Sequence, residues 1–150
     1  MRMTRIDWIL LPVLVGVLAG VVVGAFLLTG FEPSRLLIPW IAVAASWTAA
    51  EGAKYLFNRA RPFTWDSEIA PLIKTPSSSS FPSGHSATAA AGALTLSFLY
   101  PPFAPALVAA GLLVVVSRVY LGVHFPIDVF AGVAIGTATS AVVLAVAEIL

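Results

Sequence analysis

The segment from Thr75 to Ser117 contains no Asp, Glu, Lys or Arg residue. Over the whole chain of 150 residues, 59% are hydrophobic and only 10% are charged, whereas a soluble domain carries roughly 25% charged residues. The mean hydropathy is +0.98. So few charges do not cover the surface of a soluble protein. We therefore predict an integral membrane protein, and we exclude a disordered chain and an ordinary cytosolic enzyme.

Net charge and cysteine content narrow the function classes further. The formal net charge is +1, which gives no support to a nucleic-acid partner, because such proteins carry basic patches. The chain has no cysteine. Disulfides, thiolate metal sites and cysteine nucleophiles are therefore excluded together.

The apolar stretches predict a single domain over residues 1–150 with five spans. A bilayer core about 30 Å thick requires about 20 helical residues, and Pro101, Pro102 and Pro105 divide the long charge-free stretch in two. Only closed hydrogen-bonded structures are stable in lipid, so we predict an all-α helical bundle. We take the first span as uncleaved, since it exceeds the length of a signal-peptide core. The expected spans are 8–30, 36–57, 83–100, 103–121 and 127–147.

Two further patterns bear on packing and on the loop. Residues 58–82 form the one substantial polar loop, and we expect its serine run, Ser77–Ser80, to be a flexible linker. Small residues at four-residue spacing let helix backbones approach closely. Such residues either pack inside one bundle or form a homodimer interface through the first span. They are Gly16, Gly20 and Gly24 on the first span and Gly132 and Gly136 on the fifth.

Charged residues are costly near a bilayer, so their positions are informative. If the helices alternate in direction, the end of span 2, the start of span 3, the end of span 4 and the start of span 5 share one membrane face. Both histidines and three cations then converge on one pocket, which suits a tetrahedral dianion such as phosphate. These residues are Lys54, Arg61, His85, Arg118 and His124.

The residues around the two histidines indicate nucleophilic chemistry. His124 and Asp128 are four apart and share a helix face, so the carboxylate is expected to accept a hydrogen bond from one imidazole nitrogen and raise the basicity of the other. His124 would then attack phosphorus and His85 would protonate the leaving oxygen. The turn through Ser83 and Gly84 opens a helix whose free amides bind anions. Taken singly, each feature also fits a structural pair, a turn or a snorkelling cation, and two histidines with Asp128 also fit a zinc site.

Three motifs in this order resemble those of a known family. They are K-x6-R-P from Lys54 to Pro62, P-S-G-H from Pro82 to His85, and S-R-x5-H-x3-D from Ser117 to Asp128. This signature is similar to that of the type 2 phosphatidic acid phosphatases, the lipid phosphate phosphatases related to vanadium haloperoxidases. The resemblance covers about residues 50–135, and the chain resembles a short, five-span member where many bacterial members have six spans.

The resemblance implies residue roles and a substrate class. It implies that His124 forms a phosphohistidine, that Asp128 orients it, and that His85 serves as acid and then as base. It also implies that no metal or other cofactor is required. The phosphoryl oxygens would be held by Lys54, Arg61, Ser83, Gly84 and Arg118. The implied substrate is a lipid phosphate: phosphatidic acid, phosphatidylglycerol phosphate, a polyprenyl diphosphate or a polyprenyl-linked sugar phosphate.

The distribution of basic residues predicts an orientation in a prokaryotic cell membrane. With five alternating spans, the N-terminus, loop 58–82 and turn 121–126 share a face, and Arg35 alone among the basic residues lies opposite. The positive-inside rule then places the active site on the cytoplasmic face. Two other function classes remain as alternatives, a vanadate-dependent haloperoxidase and a non-catalytic lipid-binding membrane protein.

Overall fold

In a computed structural model, the structure describes residues 33–66, 68, 71–73 and 75–149. All regular elements in these ranges are helical, which confirms the all-α prediction. The elements are α1 (Pro33–Phe57), the short α2 (Pro62–Trp65), α3 (Gly84–Leu99), a 3-10 turn (Pro101–Phe103), α4 (Ala104–Tyr120) and α5 (Pro126–Ile149).

The helices α1, α3, α4 and α5 occupy, in order, the sequence ranges expected for the second to fifth spans. The first expected span and the Gly16, Gly20 and Gly24 repeat lie outside the described residues. The break between α3 and α4 follows from the proline pattern. Pro101 and Pro105 each stand in the first turn of a new helical segment, where the missing amide of proline costs no hydrogen bond.

Helices α3 and α5 pack with their backbones in contact. A Cβ atom at Gly132 would collide with the carbonyl oxygen of Ser83, and one at Gly136 would collide with the carbonyl oxygen of Ala87. Ala87 and Ala91 on the facing side of α3 are fully buried. Small residues here allow a separation that no larger side chain would permit. Gly132 and Gly136 therefore serve packing within the bundle.

Polar contacts reinforce this packing in the apolar interior. The hydroxyls of Thr95 on α3 and Ser140 on α5 are hydrogen-bonded to each other, and Ser140 Oγ also donates to the carbonyl oxygen of Ala91 at 3.0 Å. Both side chains are buried. Because a buried hydroxyl without a partner is costly, these bonds favour one register of α3 against α5.

The outer faces of α4 and α5 are apolar. The segments Pro101–Tyr120 and Pro126–Ala147 are long and apolar enough to cross a bilayer. Large hydrophobic side chains such as Leu113 on α4 and Phe130 on α5 are more than two-thirds exposed, at 72% and 71%. In water such faces would be unfavourable, whereas lipid tails solvate them.

Candidate active site

Long-range hydrogen bonds bring the ends of the main helices together. Arg61, after α1, donates from Nη1 to the carbonyl oxygen of Val123 at 2.8 Å, in the turn between α4 and α5. The amide of Ser83, before α3, donates to the carbonyl oxygen of Asp128 at 2.9 Å, in the first turn of α5. The motif residues therefore gather at one end of the bundle.

A cavity of about 200 Å³ opens at this end. Its lining includes the three cations and both histidines expected from the sequence. An apolar wall and a carboxylate complete it. The full lining consists of Trp47, Glu51, Lys54, Arg61, Ile73, Pro76, Ser78, His85, Arg118, Val123 and His124.

Arg61 is the most buried cation of the cavity, with 4% of its surface exposed. Its Nε donates to the carbonyl oxygen of Ser78 at 2.9 Å, and Nη2 lies 3.3 Å from both Ser78 Oγ and the carbonyl oxygen of Ser79. Burial lowers the pKa of Arg61, and the negative charges of Asp128 and Glu51 oppose that shift. An arginine nevertheless remains charged, so the cavity holds a cation in a fixed orientation.

The serine run is an integral part of the site, which corrects the expectation of a flexible linker. Besides the bonds of Ser78 and Ser79 to Arg61, Ser79 Oγ accepts the amide of Arg59 at 2.9 Å. The amide of Ser80 donates to the Arg59 carbonyl oxygen at 2.9 Å, and its hydroxyl donates to Asp128 Oδ2. Short hydroxyl side chains readily satisfy nearby backbone and charged groups, and here they connect two signature motifs.

His124 lies in the turn before α5 and is 5% exposed. Its Nε2 is 3.4 Å from Arg61 Nη1. Burial lowers the pKa of His124 to about 4; the charge of Arg61 acts in the same direction, and Asp128 opposes both. The imidazole is therefore neutral near pH 7. Since a guanidinium can only donate, the contact with Arg61 fits the tautomer that has its lone pair on Nε2 and its proton on Nδ1.

Asp128 is fully buried next to His124, but the hydrogen bond expected from their spacing is not formed. His124 Nδ1 is 3.7 Å from Asp128 Oδ2, beyond hydrogen-bond distance. The carboxylate instead accepts from the side chain of Arg59 at 2.9 Å, from the amide of Phe125 at 2.9 Å and from Ser80 Oγ. These competing donors explain the separation, and the interaction between Asp128 and His124 is electrostatic.

The P-S-G-H motif forms the start of α3. Ser83 is its N-cap, accepting from the amide and the hydroxyl of Ser86, and its side chain is fully buried. Gly84 allows close approach of α1, because a Cβ there would lie 3.2 Å from Glu51 Oε1. In the described part of the chain, Ser83 and Gly84 do not line the cavity, whereas His85 does, with its ring edge-to-face against Trp47.

The two remaining cations have partners that hold them at the cavity. Lys54 Nζ is 2.5 Å from Glu51 Oε1, one helical turn away on α1. Arg118, at the end of α4, donates from Nε and Nη2 to Ser117 Oγ, each at 3.1 Å. Three cations and one carboxylate leave a net positive cavity suited to an anion. The described residues contain no group of three His, Asp or Glu side chains that would hold a metal ion.

Sequence reasoning did not select Arg59 and Glu51 as site residues. Glu51 lies three residues before Lys54, and Arg59 lies two residues before Arg61. Neither position is specified by the three motifs. The pairing of Glu51 with Lys54 is detectable in principle from the three-residue spacing of opposite charges on a helix. No local pattern identifies the pairing of Arg59 with Asp128, because the two residues are 69 positions apart.

Comparisons with known proteins identify the family of the chain. The PAP2 superfamily model matches residues 35–149. An undecaprenyl-diphosphatase of Sulfolobus acidocaldarius is 39% identical over 88 residues, which are 58% of this chain and 43% of the relative. The chain spans about half the length of the curated relatives it matches.

Two crystal structures share the fold. The transmembrane PAP2 type phosphatidylglycerolphosphate phosphatase of Bacillus subtilis superposes with a TM-score of 0.66 at 30% identity, covering 94% of this chain and 70% of that one. LpxE of Aquifex aeolicus gives a TM-score of 0.71 at 28% identity, covering 91% and 76%. The protein is thus a membrane protein, and since the family match extends over well more than half of its residues, it belongs to the PAP2 superfamily.

Proposed function

We propose that the protein is a membrane lipid phosphatase that hydrolyses a lipid phosphomonoester or diphosphate through a phosphohistidine at His124. One observation carries this proposal: His124 Nε2 lies 3.4 Å from Arg61 Nη1, in a cavity that also contains His85, Lys54 and Arg118. A nucleophile, a second imidazole and three phosphate-binding cations are the groups that phosphoryl transfer requires.

In the first step, His124 Nε2 attacks phosphorus, and the bond between phosphorus and the leaving oxygen breaks. His85 donates its proton to that oxygen, which departs as an alcohol or as a phosphate group. The nitrogen–phosphorus bond leaves His124 with a positive charge, and the nearby carboxylate of Asp128 stabilises it. Lys54, Arg61 and Arg118 stabilise the negative charge on the phosphoryl oxygens in the transition state.

In the second step, neutral His85 takes a proton from water, and the oxygen of that water attacks the phosphohistidine. The nitrogen–phosphorus bond breaks, which returns His124 to its neutral form and releases inorganic phosphate. Every group in this cycle belongs to the chain or is water, so the reaction requires no cofactor. At the start of α3, where Ser83 and Gly84 do not themselves line the described cavity, we propose that the amide of His85 donates to a phosphoryl oxygen.

The lining of the cavity supports a lipid substrate. Trp47, Ile73, Pro76 and Val123 provide apolar surface beside the cations, and Trp47 is itself 45% exposed on the outer side of α1. A molecule with a phosphate head and an acyl or prenyl tail would contact both surfaces. The substrate class we propose comprises phosphatidic acid, phosphatidylglycerol phosphate, polyprenyl diphosphates and polyprenyl-linked sugar phosphates.

We further infer that the protein lies in a prokaryotic cell membrane with its cavity on the cytoplasmic face, as the distribution of basic residues predicts. The chain has no cysteine, so one introduced at Ser77, an exposed loop position, is a unique label site. An impermeant thiol reagent should modify it in inverted vesicles and not in intact cells. Labelling from outside intact cells would overturn this orientation. The homodimer through Gly16, Gly20 and Gly24 is likewise a proposal, to be tested by cross-linking in the membrane.

Phosphate release from a panel of lipid phosphates, with the purified protein in detergent, tests the proposed activity. We expect turnover that persists in chelators and is inhibited by vanadate, which mimics the transferring phosphoryl group. His124→Ala should retain its fold and lose turnover. A phosphate-labelled intermediate that is labile in acid and stable in base should form in the parent protein only. Equal turnover in His124→Ala would refute the proposed nucleophile.

A further inference from the structure

Arg59 contacts two residues that follow His124 in the chain, Phe125 and Asp128, although it lies outside the cavity lining. Its Nη1 donates to Asp128 Oδ1 at 2.9 Å, and its guanidinium lies 4.6 Å from the ring centroid of Phe125. Phe125 directly follows His124, and its amide is bonded to the other oxygen of Asp128. Arg59 is not among the described residues that line the cavity.

The pairing of Arg59 with Asp128 is asymmetric in burial. The Asp128 side chain is fully buried, whereas that of Arg59 is 40% exposed. A buried carboxylate requires a charged or hydrogen-bonding partner, and Arg59 is the cation that neutralises this one. The backbone of Arg59 adds to the arrangement, since its amide and carbonyl bond to Ser79 and Ser80, and Ser80 in turn bonds to Asp128.

We propose that Arg59 is a positioning residue, which holds the Asp128 carboxylate and the Phe125 backbone so that His124 presents Nε2 to the substrate, without itself contacting the substrate. The inference rests on the proposed role of His124 as nucleophile. It extends that role to a residue that the family signature leaves unspecified.

Loss of the positive charge of Arg59 should change the pKa of His124 in one direction. His124 is faced by Arg61 from the loop after α1, by Lys54 from α1, by Asp128 from α5 and by the backbone of Ser80. The cations and the burial lower its pKa, and Asp128 raises it. Arg59 offsets part of the negative charge of Asp128. Removing that positive charge should therefore raise the pKa of His124.

The test compares Arg59→Met, which removes the charge, with Arg59→Lys, which keeps it. Both kcat and KM are measured on a substrate that the parent protein hydrolyses, and the pKa of His124 is followed by NMR of the labelled imidazole in detergent. We expect Arg59→Met to lower kcat at least about tenfold with KM within about twofold. The acid limb of the pH profile of kcat/KM should move to higher pH, and the pKa of His124 measured by NMR should rise. Arg59→Lys should recover part of kcat.

A double variant separates positioning from direct binding. In an Asp128→Asn background, Arg59→Met should cause little further loss of kcat, because the residue through which Arg59 acts is already changed. Arg35→Met removes the same charge from the opposite end of α1 and serves as the control, with unchanged kcat and pKa. Melting temperatures in detergent show whether each variant is folded. Should Arg59→Met lose its fold, Arg59→Gln, which removes the same charge, replaces it in the kcat and pKa measurements.

The outcomes distinguish this inference from the proposed activity. An unchanged kcat and an unchanged pKa of His124 in folded Arg59→Met would overturn the positioning role while leaving the phosphatase activity in place. A loss expressed mainly in KM, or an equal loss in the Asp128→Asn background, would instead identify Arg59 as a substrate contact and overturn the proposal. If the parent protein hydrolyses no lipid phosphate, a raised pKa in Arg59→Met still supports the coupling to His124, and it is the proposed activity that fails.

Discussion

The guanidinium of Arg61 donates to the carbonyl oxygen of Val123, the residue immediately before His124, over 2.8 Å. The same guanidinium lies 3.4 Å from His124 Nε2 and lines the cavity. One side chain therefore contacts the backbone that carries the proposed nucleophile His124, its Nε2 atom and the cavity that we propose for the phosphoryl group. We expect anion binding and the position of His124 to be linked through Arg61.

Arg61→Lys should abolish most activity despite keeping the positive charge. A lysine has no planar fork, so the bonds to Ser78, Ser79 and Val123 cannot all be maintained. We expect kcat/KM to fall at least about 100-fold, which corresponds to about 2.7 kcal/mol. Steady-state kinetics in detergent measure this loss. Activity within about threefold of the parent protein would show that only the charge of Arg61 matters.

The pH dependence of kcat/KM should have its acid limb well below the ordinary histidine range. As the proposed nucleophile, His124 must be neutral to react, and burial lowers its pKa to about 4. Activity should therefore persist as the pH falls through 6.5, the ordinary pKa of histidine, and decline near pH 4. The profile is measured on a substrate whose own ionisation is determined separately. An acid limb at about pH 6.5 would indicate that His124 is solvated and unperturbed.

The stability of the folded protein should also depend on the protonation of His124. Because the folded pKa of His124 lies below its unfolded value, the unfolded chain binds more protons between about pH 4 and pH 6.5. This contribution to stability is fully present above pH 6.5 and is lost as the pH falls towards 4. His124→Gln should weaken the decrease in melting temperature over this interval, and identical decreases in both proteins would assign it to other groups.

Glu51→Gln should strengthen the binding of free anions. The carboxylate of Glu51 lies 2.5 Å from Lys54 Nζ and competes with a bound anion for that ammonium group. Its removal leaves Lys54 free and should lower the inhibition constant of phosphate or vanadate about two- to fivefold, the range of a partly exposed ion pair. Glu68→Gln, at an exposed loop position, is the matched control. Weaker inhibition in Glu51→Gln would mean that Glu51 orients Lys54 for binding.

Gly136→Ala should destabilise the bundle. The added methyl group would collide with the carbonyl oxygen of Ala87, and a backbone atom cannot move away as a side-chain end can. Overpacking of this kind costs about 1–3 kcal/mol, visible as a lower melting temperature in detergent. Gly52→Ala is the control, because nothing lies within 4 Å of its Cβ position. That variant should be neutral or slightly stabilised through its helix propensity, and equal effects of the two changes would refute the packing argument.

The helices of this protein are predictable because their signals are local. Long apolar stretches and the prolines at 101, 102 and 105 determine where α3 ends and α4 begins. The motif spacing also identifies five of the six ionisable side chains that line the described cavity, since alternating helices bring their ends to one face. The direction of each helix and the polarity of its ends can therefore both be predicted from the sequence.

The contacts that hold the site residues in place are not predictable in this way. The serine run has the composition of a linker, yet its hydroxyls and backbone bond to Arg59, Arg61 and Asp128. The spacing of His124 and Asp128 predicts a direct hydrogen bond, but three donors from elsewhere compete for the carboxylate. Such competition depends on contacts between residues far apart in the chain, and a single sequence carries no local record of them.

The backbone contact between α3 and α5 has a consequence for the spacing of the two histidines. Gly132 rests on the carbonyl of Ser83, two residues before His85, and α5 begins two residues after His124. The relative position of the two imidazoles is therefore set by contacts between the main chains of α3 and α5. Substitutions on the lipid-exposed sides of these helices can adapt the protein to membranes of different composition while the distance between the two imidazoles stays constant.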